Sequence, residues 1–337
     1  YYSTLVKALG AIRDGGPSQT DVVNLSLQGP VVTPYWDNPV NQAVQEVWDA
    51  GIVVVAAAGN TGPYAGSITV PGNTPQIITV GAYTDNYSPT TYGDDYIPPF
   101  SAAGPTEAGF VKPDVVAPGA HIAMPMHSYS NYAQNKHVIV TNSGHYLGSG
   151  TSAAAAVTSG VVALMLDEDE TLTPNEVKYR LAVSAEPIVN TLGGTATTFS
   201  IFQQGAGRIR PIETVYSSAS GSANGNMKAG GKYVGPVIFD KDADGFVVVD
   251  ENRKPLPAGK NFFWDGSYYW SGSWLFSGNY YWSGSWLFSG NYYWSGTSYW
   301  SDDAFTDANY YWSGNYYWSG NYYWSGSDYW MGLLAEE

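Results

Sequence analysis

Three apolar runs without alternation, Val22 to Leu27, Ile52 to Ala57 and Ile77 to Tyr83, set the pattern of this chain. Strands buried on both faces read this way, because neither side of the pleat meets water. Between the first two runs, Val40, Ala43, Val44 and Val47 fall on one side of a helix over Pro39 to Ala50, which Gly51 stops. The longest apolar stretch, Ala153 to Leu166, is interrupted only by Thr158, Ser159 and Gly160. It falls short of the ~20 residues that span a bilayer and predicts a buried core helix. Thr173-Pro174-Asn175-Glu176 opens a further helix, combining a Thr-x-x-Glu capping box with proline in the first turn. Alternation of helix-like and strand-like segments over residues 1–215 predicts an α/β layer fold with a parallel sheet.

Gly205-Ala206-Gly207 and Pro211 close that portion, and Ser217 to Gly231 is small and polar enough for a linker. Three parts are expected: 1–215, a linker with a β-hairpin over 216–261, and a repeat region over 262–337. In the last, Trp264, Trp270, Phe276, Trp282, Phe288, Trp294, Trp300, Trp312, Trp318, Trp324 and Trp330 share a six-residue phase broken only at Thr306. A meander of short hairpins, a solenoid and an irregular chain all fit this small β-rich repeat region. Its rings would suit sugar or partner contact, on a carbohydrate or a cell surface.

Asp240, Asp242, Asp244, Gly245 and Glu251 match the spacing of a calcium-binding EF-hand loop, so calcium enters as a candidate ligand. The flanking runs, Gly235 to Phe239 and Phe246 to Val249, instead read as two strands joined by a turn. An extended 246–250 would carry Glu251 about 16 Å from that turn at ~3.3 Å per residue. The hairpin is the favoured reading.

The 337 residues carry 14 basic and 29 acidic side chains, a net charge of -15. Such acidity excludes polyanionic partners, nucleic acid among them. Without cysteine, disulfides and thiolate metal sites are excluded too. The opening Tyr1-Tyr2-Ser3 carries neither an initiator methionine nor an export signal, so a piece of a longer product is expected.

Candidate chemistry centres on Gly150-Thr151-Ser152-Ala153-Ala154, a hydroxyl at the mouth of the apolar helix. Unpaired N–H groups at a helix start can steady an oxyanion while such a serine attacks a carbonyl. Ala56-Ala57-Ala58-Gly59-Asn60 ends a buried strand with an amide donor, where open parallel sheets place their sites. Asn24-Leu25-Ser26-Leu27 ends another and could pair with an extended peptide.

These pieces, with Val70-Pro71-Gly72-Asn73-Thr74-Pro75, Phe100-Ser101-Ala102-Ala103-Gly104-Pro105 and Lys112-Pro113-Asp114-Val115-Val116-Ala117-Pro118-Gly119, stand in the order of a subtilisin-like serine protease. The resemblance covers about residues 1–215. It implies a three-layer α/β domain, incomplete at its N-terminal side, acting as a secreted or cell-surface endopeptidase on protein or peptide substrates, with no cofactor required for the chemistry. Ser152 then resembles the nucleophile and Asn60 the side-chain oxyanion donor, with the Ser152 backbone N–H as second donor. Ser26, Leu27 and Gln28 resemble the strand that pairs with substrate, and Ala57, Ala58 and Gly59 a wall of the primary specificity pocket.

Departures from the family pattern matter. Gln28 replaces a usual glycine, where it could crowd the substrate strand or add a hydrogen bond. The family's catalytic Asp and His precede the substrate strand, yet only about twenty residues do so here. Asp14 leaves no room for the histidine segment, and His121, His127, His137 and His145 all follow the strands. Of these only His145 is near enough in sequence to be tested. A serine without a base is a poor nucleophile, so this chain alone is expected to be inactive. The rival expectation is a binding protein that presents the aromatic repeats on a degenerate protease scaffold.

Overall fold

The computed structural model describes residues 2–125, 127, 129, 145–190, 197–224, 227, 230–240, 245–249, 254, 284–285 and 290–291. The aromatic repeats, bar those last four residues, lie outside the described residues, as do His137, Asp242, Asp244 and Glu251.

A four-stranded parallel sheet forms the centre: β1 (Val22–Leu25), β2 (Val53–Ala57), β3 (Ile78–Tyr83) and β4 (Val115–Pro118), in that order across the sheet. Val23 stands opposite Val54, Ala56 opposite Thr79, and Val80 opposite Val115. Every residue of β2 is buried, as its unbroken apolar run predicts. α1 (Tyr2–Gly15) and α2 (Pro39–Asp49) pack on each other, and α2 also touches β2. α2 starts where Asn38 Oδ1 accepts from Val40 N, with Pro39 in the first turn.

β5 (Ile122–Pro125) and β6 (His145–Gly148) form an antiparallel hairpin that leads directly into α3 (Thr151–Glu168). α3 touches all four strands of the central sheet. Ser159 Oγ on α3 donates to Asn24 Oδ1 at 3.1 Å, so Asn24 faces α3 while Val23 and Leu25 face the opposite layer. Three layers result, with the core between them. α4 (Pro174–Ser184) begins with the expected capping box, Thr173 Oγ1 accepting from Glu176 N and Glu176 Oε2 from Thr173 N. Trp48 Nε1 of α2 reaches Asn175 Oδ1 of α4 at 2.9 Å.

The short β7 (Val189–Asn190) and β8 (Thr197–Thr198) pair before α5 (Ile201–Gln204). Arg208 then bridges in parallel to Val116 and antiparallel to Glu186, and α6 (Pro211–Val215) packs on α3. Residues 221–224, inside the stretch read as a linker, lie on this layer: Ala223 N donates to Asn175 O and Asn224 Nδ2 to Gln76 O. β9 (Val237–Asp240) and β10 (Gly245–Val248) pair antiparallel, Asp240 opposite Gly245, so the two strands of the expected hairpin are formed. Gly235 N and Val237 N dock them on Ala108 O and Gly109 O. Among the described residues, no three or more His, Asp or Glu groups gather for a metal ion, and no helix is long and apolar enough to cross a membrane.

Candidate active site

Parallel strands deliver their following loops to one edge of the sheet, and there the sequence-predicted residues meet. β1 leaves the ladder at Leu25, so Ser26, Leu27 and Gln28 continue as exposed chain before Gly29 pairs with Val70. β2 ends at Ala57; buried Ala58 and Gly59 then turn the chain to the exposed Asn60. Gly59 has φ +114, and a Cβ there would stand 2.6 Å from Thr69 Oγ1. Only glycine makes this turn without strain.

Thr151 is the residue that joins these loops to α3. Its backbone N–H donates to Asn60 Oδ1 at 2.9 Å, its hydroxyl donates to the same oxygen at 3.0 Å, and Gly59 N donates to that hydroxyl at 3.2 Å. With the carbonyl end of the amide held, Asn60 Nδ2 is turned away, and among the described residues it has no hydrogen-bond partner. Ser152 N is likewise an open donor of the first helical turn, because Ala153 N and Ala154 N both return to Gly150 O. A Cβ on Gly150 would lie 3.4 Å from Asn60 Nδ2 and 3.8 Å from Ser152 N. The missing side chain therefore leaves a slot flanked by two N–H donors.

Ser152 itself is half-buried and bound to the Ser26 strand. Ser26 Oγ donates to Ser152 O at 2.9 Å and accepts from Asn24 Nδ2 at 2.9 Å, while Ser152 Oγ donates to Ser26 O over a long 3.5 Å. Gln28 folds its side chain over the site, Oε1 accepting from Asn60 N at 2.8 Å.

None of the described histidines bonds the Ser152 hydroxyl. His145 stands in β6 opposite Pro125, and His121 stacks on Tyr87. Asp14 pairs with Arg13, which also reaches Glu46 of α2. In the sequence the signal for this role of Thr151 is a hydroxyl at the first helical position, one residue before the serine. Nothing in the sequence singles out Ser159, whose hydroxyl meets Asn24.

Beyond β1, the sheet edge and one side of α3 are open among the described residues. β1 has one strand neighbour among the described residues, and Ala156, Gly160, Ala163 and Leu164 expose one face of α3. An open groove of about 910 Å³ runs between the 17–22 loop and the far end of α3, lined by Pro17, Val22, Ala163 and Leu166 among others.

This serine, amide and exposed strand, set on a parallel sheet under an apolar helix, place the chain in a defined class. It matches the subtilase family over residues 2–207 and belongs to that family. It is 38% identical over 172 residues to serine protease AprX of Bacillus subtilis (strain 168), covering 50% of this chain and 38% of that protein. With subtilisin DY of Bacillus licheniformis it shares 31% identity over 186 residues, covering 55% of each. A solved structure, the prenylagaramide maturation protease PagA, superposes at TM-score 0.48 and 23% identity over 65% of this chain and 69% of that one. The chain thus spans 38% and 55% of the lengths of the two curated relatives.

Proposed function

We propose that this chain is the nucleophile-bearing part of a serine endopeptidase, with Ser152 as nucleophile and Asn60 as oxyanion donor. The observation that carries the reading is the slot beside Gly150, between Asn60 Nδ2 and Ser152 N. In the reaction Ser152 Oγ attacks the peptide carbonyl and gives its proton to a base. The carbonyl oxygen, now negative, enters the slot and is held by the two N–H groups. The C–N bond breaks as the base returns the proton to the leaving amine, and water hydrolyses the acyl-enzyme. Ser26, Leu27 and Gln28 offer exposed backbone to the acyl half of the substrate, and Ala57, Ala58 and Gly59 wall the pocket beneath its side chain.

The base is supplied by polypeptide that docks on the open flank, and the chain on its own is inactive. The side of β1 that has no strand neighbour among the described residues and the exposed apolar face of α3 support this, since a helix apolar all round is normally enclosed. An extracellular or cell-surface site of action goes with this reading. The test is hydrolysis of an unfolded protein substrate by the protein expressed from its natural gene. Activity lost in Ser152→Ala, with the melting temperature kept, supports the assignment; activity retained overturns it.

A further inference from the structure

Three of the four non-glycine residues with positive φ among the described residues gather near the serine loop: Asn86 at 49°, Tyr87 at 61° and His121 at 59°. For a residue such as Tyr this backbone is unfavourable and persists where the surroundings impose it. Tyr87 follows β3 and His121 follows β4, adjacent parallel strands whose loops share the sheet edge that carries Ser152. Their rings stack 4.4 Å apart at 27°. Tyr87 is nevertheless 67% exposed, so the stack presents its outer face to solvent.

The stack is anchored to the turn that places the nucleophile. Gly119 N donates to Tyr83 O, Gly150 N donates to Gly119 O at 2.7 Å, and His121 N donates to Ser149 Oγ at 3.0 Å. Ser152 therefore lies between two different supports. Ser26 holds it from the flank of the exposed 26–28 strand, and the 119–121 segment holds the residues just before it. A peptide whose acyl half lies along 26–28 has its amine half left to the other support. That is where the aromatic platform stands.

We infer that Tyr87 and His121 form a specificity platform for the leaving-group side of the substrate, taking an aromatic side chain within the first two residues beyond the scissile bond. The inference rests on the endopeptidase reading for its position but not for its test. Offset stacking on a ring pair adds contact that an alanine side chain cannot make. An exposed Tyr in a positive-φ turn gives that contact at little further ordering cost, because Tyr87 N is already held by Asp85 Oδ1.

The experiment titrates the 337-residue chain with two product-like tripeptides bearing a free amine, Ala-Phe-Ala-amide and Ala-Ala-Ala-amide, and follows the His121 ring proton signals by NMR. His121→Gln identifies those signals. Ala-Phe-Ala-amide is expected to move them progressively to saturation, and Ala-Ala-Ala-amide to leave them in place. Tyr87→Ala should abolish the response and Tyr87→Phe retain it, both with the wild-type melting temperature. Equal shifts with both peptides, or none with either, overturn the platform. Because no catalysis is read, a chain that shows the response yet cleaves nothing in its natural form refutes the endopeptidase reading instead.

Discussion

Asn60 Oδ1 accepts two hydrogen bonds from Thr151, one from the backbone and one from the hydroxyl, across 91 residues of sequence. The amide is thereby fixed with its NH₂ toward the slot beside Gly150. In the active protein Asn60→Ala should lower kcat by roughly 10²–10³-fold with little change in KM, a magnitude carried over from subtilisin itself. Thr151→Val, which keeps the backbone bond but loses the hydroxyl bonds to Asn60 Oδ1 and from Gly59 N, should lower kcat about tenfold, the equivalent of the one bond lost at the amide. Steady-state kinetics on one peptide substrate checks both. A larger effect on KM than on kcat would place Asn60 in ground-state binding.

Gly59→Ala should destabilise the chain rather than its chemistry alone. A methyl at φ +114 meets Thr69 Oγ1 at 2.6 Å and Cγ2 at 2.7 Å, and Thr69 is held by two bonds to Ala58 O. Strain of this kind costs about 1–3 kcal/mol. Denaturant unfolding should show that loss, and Thr69→Ser, which removes Cγ2, should restore part of it.

A buried charge cluster predicts how stability follows pH. Lys112 and Lys178 are both buried and share the Asp114 carboxylate, at 2.6 and 3.2 Å, while their remaining protons reach Pro75, Gln76 and Ile77 carbonyls. Burial lowers the Lys112 pKa to about 7, with the Lys178 charge acting in the same direction and Asp114 against it. Between pH 7 and about 10.5 the unfolded chain then binds a proton that the folded chain has shed, so stability rises with pH. The slope is at most about 1.4 kcal/mol per pH unit, or roughly 3–5 °C in Tm. Above pH 10 Tyr83 opposes it, its pKa pushed up to about 12 by burial and then by Asp95. Calorimetry from pH 7.5 to 9.5 should show Tm rising, and Lys112→Met should flatten the rise.

The open side of α3 yields a surface prediction. Ala163 is exposed on α3 and lines the groove beside Val22 and Leu166. Ala163→Arg should leave the melting of the chain alone unchanged. In the protein expressed from its natural gene it should reduce hydrolysis roughly tenfold or more, since a desolvated charge at a docked face costs at least ~1.4 kcal/mol. Undiminished hydrolysis would mean that this face stays bare in the working protein.

The layers of this fold were legible because the strands are buried on both sides. Val53–Ala57 and Ile78–Tyr83 had to be apolar without alternation, and they read so at once. α1 carries Leu5, Leu9 and Ile12 at helical spacing and was open to the same treatment. Ser152 and Asn60 were legible through residue type and order in the chain. The Asn60 to Thr151 bond was not, since it depends on which way an amide faces. Nor was the Tyr87–His121 stack, where neither position carries the glycine that usually betrays a left-handed turn. The base was illegible for a different reason: no described histidine is hydrogen-bonded to the serine hydroxyl, whose bond goes to Ser26 O.

The most direct test of the whole account is intact-protein mass spectrometry after treatment with a fluorophosphonate. The 337-residue chain alone should stay unlabelled, and the protein expressed from its natural gene should gain a single adduct, on Ser152, that Ser152→Ala removes. Rapid stoichiometric labelling of Ser152 in the isolated chain would contradict a base supplied from outside it, and an adduct on any other residue would contradict Ser152 as the nucleophile.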